Sequence, residues 1–163
     1  TVAPGCEGLI YLPYLYGERS PVMDEQAQGV FFGMTTMHKR EHFLRAVLEG
    51  VAFSLSQITG VLRERQIIGG GAHSKLWKQI IADVCDVTLQ DVSIFSDNAT
   101  SLGAAAAAGV GIGLYRDLEE AAEKIKDGAC LAPDPATQPA YENPKARYAA
   151  LYPALKDIMH MPK

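Results

Sequence analysis

The spacing of apolar residues changes several times along the chain, and each change marks an element. The run Leu9 to Leu12 breaks at Pro13 and Gly17, which predicts a strand followed by a polar loop. A second short strand is predicted between glycines, from Gly29 to Met34. From about Lys39 the period becomes helical: Phe43, Val47, Val51, Leu55, Ile58 and Leu62 share a face, and the helix is predicted to reach about Glu64. Leu76, Trp77, Ile80, Ile81, Val84 and Cys85 form the apolar face of a second helix, with Ser74 as its N-cap. A strand is predicted within Val87 to Phe95. SDNATSLGAAAAAGVG (Ser96 to Gly111) predicts a helix of small residues between an Asx/Thr start and a glycine stop. Leu118 to Lys126 reads as another helix, CLAPDPATQPAYENP (Cys130 to Pro144) as a Pro-rich loop, and Lys145 to Met159 as a terminal helix. Strands alternating with helices indicate an α/β fold.

One junction is too short. A helix and strand packed in one α/β unit need a connection of about 2–6 residues. VLRERQII (Val61 to Ile68) contains no Gly, Pro, Asn or Asp to turn the chain. Either the helix unwinds near Gly60, or residues are absent between Arg65 and Gln66; the lack of turn residues favours the second reading.

Composition narrows the partners. At 163 residues the chain fits one domain. Its net charge is −4 and no Lys/Arg run is interleaved with aromatics, so nothing argues for nucleic acid or an anionic membrane surface. Ala104 to Ala108 is too short for a bilayer span, which takes about 20 apolar residues. Cys6, Cys85 and Cys130 stand far apart, which argues against a disulfide framework and a Cys-rich zinc site. A reducing cytoplasm is the expected compartment.

The candidate chemistry lies at Gly69 to Ser74, G-G-G-A-H-S, between a predicted strand and a capped helix. Bare glycines let a ligand approach the backbone, and the helix behind them points N–H groups and its positive dipole end outward. The run is neither a P-loop nor a complete G-x-G-x-x-G. Two readings stay open on spacing alone: a nucleotide site, or a tight strand-to-helix turn. His73 has no His, Cys or carboxylate at metal spacing, so no metal ligand is assigned. Glu18 and Arg19 fit an ion pair within their loop, a contact across a cleft, or a plain surface pair. Gly50, beside Glu49 in mid-helix, costs about 1 kcal/mol relative to alanine, so close packing or a ligand must offset it.

Several stretches together resemble one family. GVFFGM (Gly29 to Met34), then HFLRAVLE (His42 to Glu49), is similar to the second signature of the FGGY carbohydrate kinases. LPYLYGERSP (Leu12 to Pro21) resembles the segment before that signature in the xylulokinase and gluconokinase branches. IIGGGAHSKLWKQIIADV (Ile67 to Val84) resembles the family's adenosine motif, and ATSLGAAAAAGVGIG (Ala99 to Gly113) the small-residue helix after it.

The resemblance implies an actin-like, ribonuclease-H-like fold of two domains with ATP in the cleft between them. Residues 1–163 would be one partial domain, the latter part of the C-terminal one. No stretch resembles the family's first phosphate loop or first signature. The catalytic aspartate and most of the sugar site would then belong to an absent N-terminal domain, so no catalytic residue is assigned here and the piece alone should be inactive. Gly70, Gly71 and Ala72 would lie against adenine and ribose, Ser74 would cap the helix, and Lys75 would contact the nucleotide. Implied cofactors are ATP and Mg²⁺. Implied partners are a small sugar, D-xylulose first and D-gluconate second, the N-terminal domain and a second copy in a homodimer. Asp24 would form a turn, and Gln28 stands where relatives often carry Arg or Lys. Another class stays open: a non-catalytic actin-like module that binds a nucleotide or a partner.

Overall fold

A strand with every side chain buried must be covered on both faces, and β1 (Ile10–Leu12) is such a strand. The computed structural model describes residues 2–58, 64–67, 70–92, 99–124 and 127–162. In it β1 pairs antiparallel with β2 (Val30–Phe32), Tyr11 facing Phe31 with ring centroids 4.5 Å apart. The helix α1 (Arg40–Ile58) lies along β1. A Cβ on Gly50 would overlap the carbonyl oxygen of Tyr11, so close packing is what this mid-helix glycine serves.

The second sheet has the order β3 (Glu64–Ile67), β4 (Thr88–Val92), β5 (Asp127–Leu131). β3 and β4 are parallel, a pairing that needs a crossover, and α2 (Lys75–Cys85) supplies it. β5 runs antiparallel to β4, with a register shift between Gln90 and Val92. α3 (Ala99–Gly111) and α4 (Leu118–Glu123) pack on each other, and α5 (Pro139–Met159) closes the chain. One buried cluster joins the two halves: Leu12 of β1, Phe53 of α1, Ile80 and Val84 of α2, Leu89 of β4 and Tyr148 of α5.

Three expectations need correction. α1 ends at Ile58, short of Glu64. Arg65 and Gln66 lie in β3, opposite Leu89 and Gln90. Residues 59–63, with Gly60 and Leu62, lie outside those described, as do the predicted start of α3 at 96–98 and the end of the predicted strand at 93–95. β5 begins the stretch read as a Pro-rich loop, because Leu131 and Cys130 pair with Leu89 and Gln90. α5 starts at Pro139 rather than Lys145. Pro139 stands in the helix's first turn, where a missing N–H costs nothing, and Tyr141, Pro144, Tyr148 and Leu151 carry the buried stripe through Pro144. The helix α3 turns Ser101, Ala104, Ala105 and Ala108 to solvent. Its tight contact among the described residues is Gly109, where a Cβ would lie 2.7 Å from the Tyr115 ring.

Three buried or half-buried carboxylates in this fold are answered by named partners. Glu49, 1% exposed, accepts from Arg45 Nε at 2.6 Å and from the Gly5 N–H at 3.1 Å. Arg45 also donates to the Val2 carbonyl at 3.0 Å and the Tyr141 hydroxyl at 2.9 Å. Burial pushes the Glu49 carboxyl up, and Arg45 opposes that shift. Asp83 accepts from Gln79, the Asp134 N–H and Thr137, which ties α2 to the turn before α5. Asp24 accepts from Tyr152 Oη and lies 2.7 Å from His160 Nε2, clasping the loop after β1 to the end of α5. The Tyr152 hydroxyl, then His160, hold its carboxyl down to about 2.

Arg45→Ala or Glu49→Ala strands a buried charge, so each should cost roughly 3–5 kcal/mol in urea denaturation. Asp24 yields a pH prediction. A depressed carboxyl contributes stability above its unfolded value near 3.8 and loses it as pH falls toward about 2. Asp24→Asn should therefore flatten the fall in thermal midpoint over that acid window, and an unchanged profile counts against the clasp.

Candidate functional site

The candidate site is a turn between a parallel strand and a helix. After β3 the chain makes a 3-10 turn, Gly70–His73, then an extended residue, Ser74, at φ −86 and ψ 106. Ser74 folds this way because its hydroxyl accepts the Trp77 N–H at 3.2 Å while its carbonyl accepts the Lys78 N–H at 2.9 Å. Its own N–H reaches the Gly71 carbonyl at 3.4 Å, which links turn, cap and helix. His73, Ser74, Lys75 and Leu76 are exposed, so the positive end of α2 opens to solvent.

The turn brings Gly70, Gly71, Ala72, Ser74 and Lys75 together at the start of α2. Lys75 is the first helical residue, and its ammonium makes no hydrogen bond or ion pair among the described residues. Gly69 lies outside them. Gly71 does not need its glycine for a left-handed φ. It needs it for space: a Cβ there would lie 2.8 Å from Trp77 Cζ3 and 3.1 Å from Cε3.

That contact was not legible in the sequence, where Trp77 is one more apolar-face residue. Its only signal was the pairing of a glycine with the chain's single tryptophan six residues on. The indole Nε1 is buried with no partner among the described residues, a state that costs about 1–3 kcal/mol unless an acceptor is supplied.

Glu18 and Arg19 do not pair side chain to side chain. The Glu18 carboxylate accepts the N–H groups of Arg19 and Ser20 at 2.9 and 3.3 Å. They line a surface cavity of about 790 Å³ with Tyr16, Met23 and Asp24, separate in its lining from the glycine turn. Among the described residues no cluster of His, Cys, Asp or Glu could hold a metal ion, and no helix is long and apolar enough to cross a membrane.

Comparison with known proteins places this geometry. The ligand-bound xylulose kinase from Lactobacillus acidophilus superposes with a TM-score of 0.84 at 28% identity, over 95% of this chain and 33% of its own. Plasmodium falciparum glycerol kinase with ADP superposes at 0.71 and 22% identity, a likeness of fold alone. The architecture is therefore a C-terminal part of the actin-like ATPase fold. Residues 1–112 match the FGGY family of carbohydrate kinases, C-terminal domain, and the chain belongs to that family. The xylulose kinase of Bacillus subtilis (strain 168) is 35% identical over 162 residues, covering 94% of this chain. The gluconokinase of the same strain is 41% identical over 91 residues, covering 51% of it. The chain spans about a third of the xylulose kinase's length, 32%.

Ser74→Ala removes the cap and should lower stability by about 1 kcal/mol, while Ser74→Asp should keep it. Urea denaturation of the two variants checks this; no loss in Ser74→Ala would mean the cap is idle.

Proposed function

We propose that this chain is the nucleotide-binding part of an ATP-dependent sugar kinase, with D-xylulose as its preferred acceptor. The observation that carries the reading is the glycine turn leading into the solvent-exposed, capped start of α2, in a chain of the FGGY family. Adenosine would rest on Gly70, Gly71 and Ala72, and Lys75 would meet the nucleotide from the first turn of the helix. The turn fits a nucleotide by its chemistry: backbone N–H groups, a hydroxyl and an ammonium. It offers no carboxylate, so it does not suit Mg²⁺, which would be held by the nucleotide phosphates and the N-terminal domain. Phosphoryl transfer is mostly positioning and charge stabilisation, and Mg²⁺ would supply neutralisation of phosphate charge when bound. This part would hold the nucleotide while domain closure excludes water and brings the acceptor hydroxyl to it. The aspartate that accepts the hydroxyl proton would come from the N-terminal domain. We place the protein in the cytoplasm, as a homodimer.

D-gluconate is the second acceptor to consider, because the shorter match to gluconokinase is the more identical one, 41% against 35%. ADP release by the full-length protein with Mg·ATP and D-xylulose, D-gluconate, glycerol, D-ribulose or L-xylulose tests the reading. Turnover with D-xylulose is expected and should vanish with EDTA. Turnover with another acceptor moves the substrate. ATP binding without turnover would favour a non-catalytic module. Gly71→Val should raise the KM for ATP about tenfold or more and leave the KM for sugar unchanged. An unaltered KM for ATP would remove the turn from the site.

A further inference from the structure

We infer that Trp77 is a positioning residue for the nucleotide turn: its indole is the floor that sets where Gly71 lies. This rests on the reading of that turn as a nucleotide site. The six-membered edge of the ring, Cε3 and Cζ3, lies where a Cβ on residue 71 would have to go. The ring and the turn are also joined through the backbone. Ser74 accepts the Trp77 N–H through its hydroxyl and donates its own N–H to the Gly71 carbonyl. Trp77 therefore meets the turn twice, once through its side chain and once through its amide. Leu76 beside it is exposed, while the half-buried ring packs against the main core cluster, which holds it in place against Gly71.

The consequence is a change in what the glycine is for. If Gly71 is bare to admit the ring, the nucleotide meets a turn whose height is fixed by Trp77. If it is bare to admit the nucleotide, the ring is incidental. The two differ in how the residues couple, because residues in contact show non-additive losses and independent ones do not. A phenylalanine keeps an aromatic ring against Gly71 and removes the buried, unpartnered indole N–H. A leucine removes the ring and keeps apolar bulk.

The test uses the full-length protein with ATP, measuring ATP Kd by calorimetry without acceptor, the KM for ATP and for sugar, and the thermal midpoint. Trp77→Leu should weaken ATP binding about tenfold, with the KM for sugar unchanged. Trp77→Phe should stay near wild type. Gly71→Ala alone should weaken ATP binding, and adding it to Trp77→Leu should cost little more, because the ring it collides with is gone. Additive losses in the double variant would overturn the inference. So would ATP affinity unmoved by Trp77→Leu, or a change confined to the thermal midpoint. A wild-type protein that does not bind ATP would instead bring down the nucleotide reading itself. If Trp77→Leu does not fold, Trp77→Met carries the same coupling test.

Discussion

A carboxylate with 1% of its surface exposed has to be answered from within the protein, and the answer to Glu49 organises this fold. Its partners come from two other parts of the chain: the Gly5 N–H before β1, and Tyr141 of α5, reached through Arg45. A pair this buried contributes less to net stability than its Coulomb energy suggests, because desolvation opposes it. What it does is hold segments distant in sequence in one arrangement. Gly5 can occupy its place because it takes φ +82 and because Pro144, lacking an N–H, leaves the Ala140 carbonyl facing it. With α1 so held, Gly50 sits on the Tyr11 carbonyl, and the far face of α1 supports α2.

The candidate site inherits its position from that support and its chemistry from a few neighbours. α2 is anchored at its inner end by Asp83 and by Cys85, whose thiol donates to the Ala52 carbonyl at 3.7 Å. Its outer end is left open, where Ser74 supplies a cap and Lys75 a cation. The site therefore combines a fixed helix with an exposed start, the arrangement that anion and nucleotide binding to backbone N–H groups requires.

Much of this was legible in the sequence for a definite physical reason. Period and capping are local, so α2 with its Ser74 N-cap could be read closely, and so could β1 and β2 between their breakers. The turn residues Gly70, Gly71, Ala72, Ser74 and Lys75 fall within one short stretch, so no tertiary contact was needed to gather them. Boundaries fared worse. Glu64, predicted as the end of a helix, is a strand residue of β3, because a period does not say where a helix gives way to the next element. Pro139 and Pro144 looked like loop, because the face they belong to, with Tyr141 and Tyr148, is defined by what packs on it.

By itself, then, the sequence determined the α/β order, the family and the location of the bare turn, all properties carried by neighbours along the chain. The tertiary structure alone decided which group fills the space each glycine leaves. At Gly50 it is the Tyr11 carbonyl, and at Gly71 it is the Trp77 ring. At these two positions the missing side chain records that something comes close, but only the packing of other elements says what, because the approaching atom is set by the path of the chain through space.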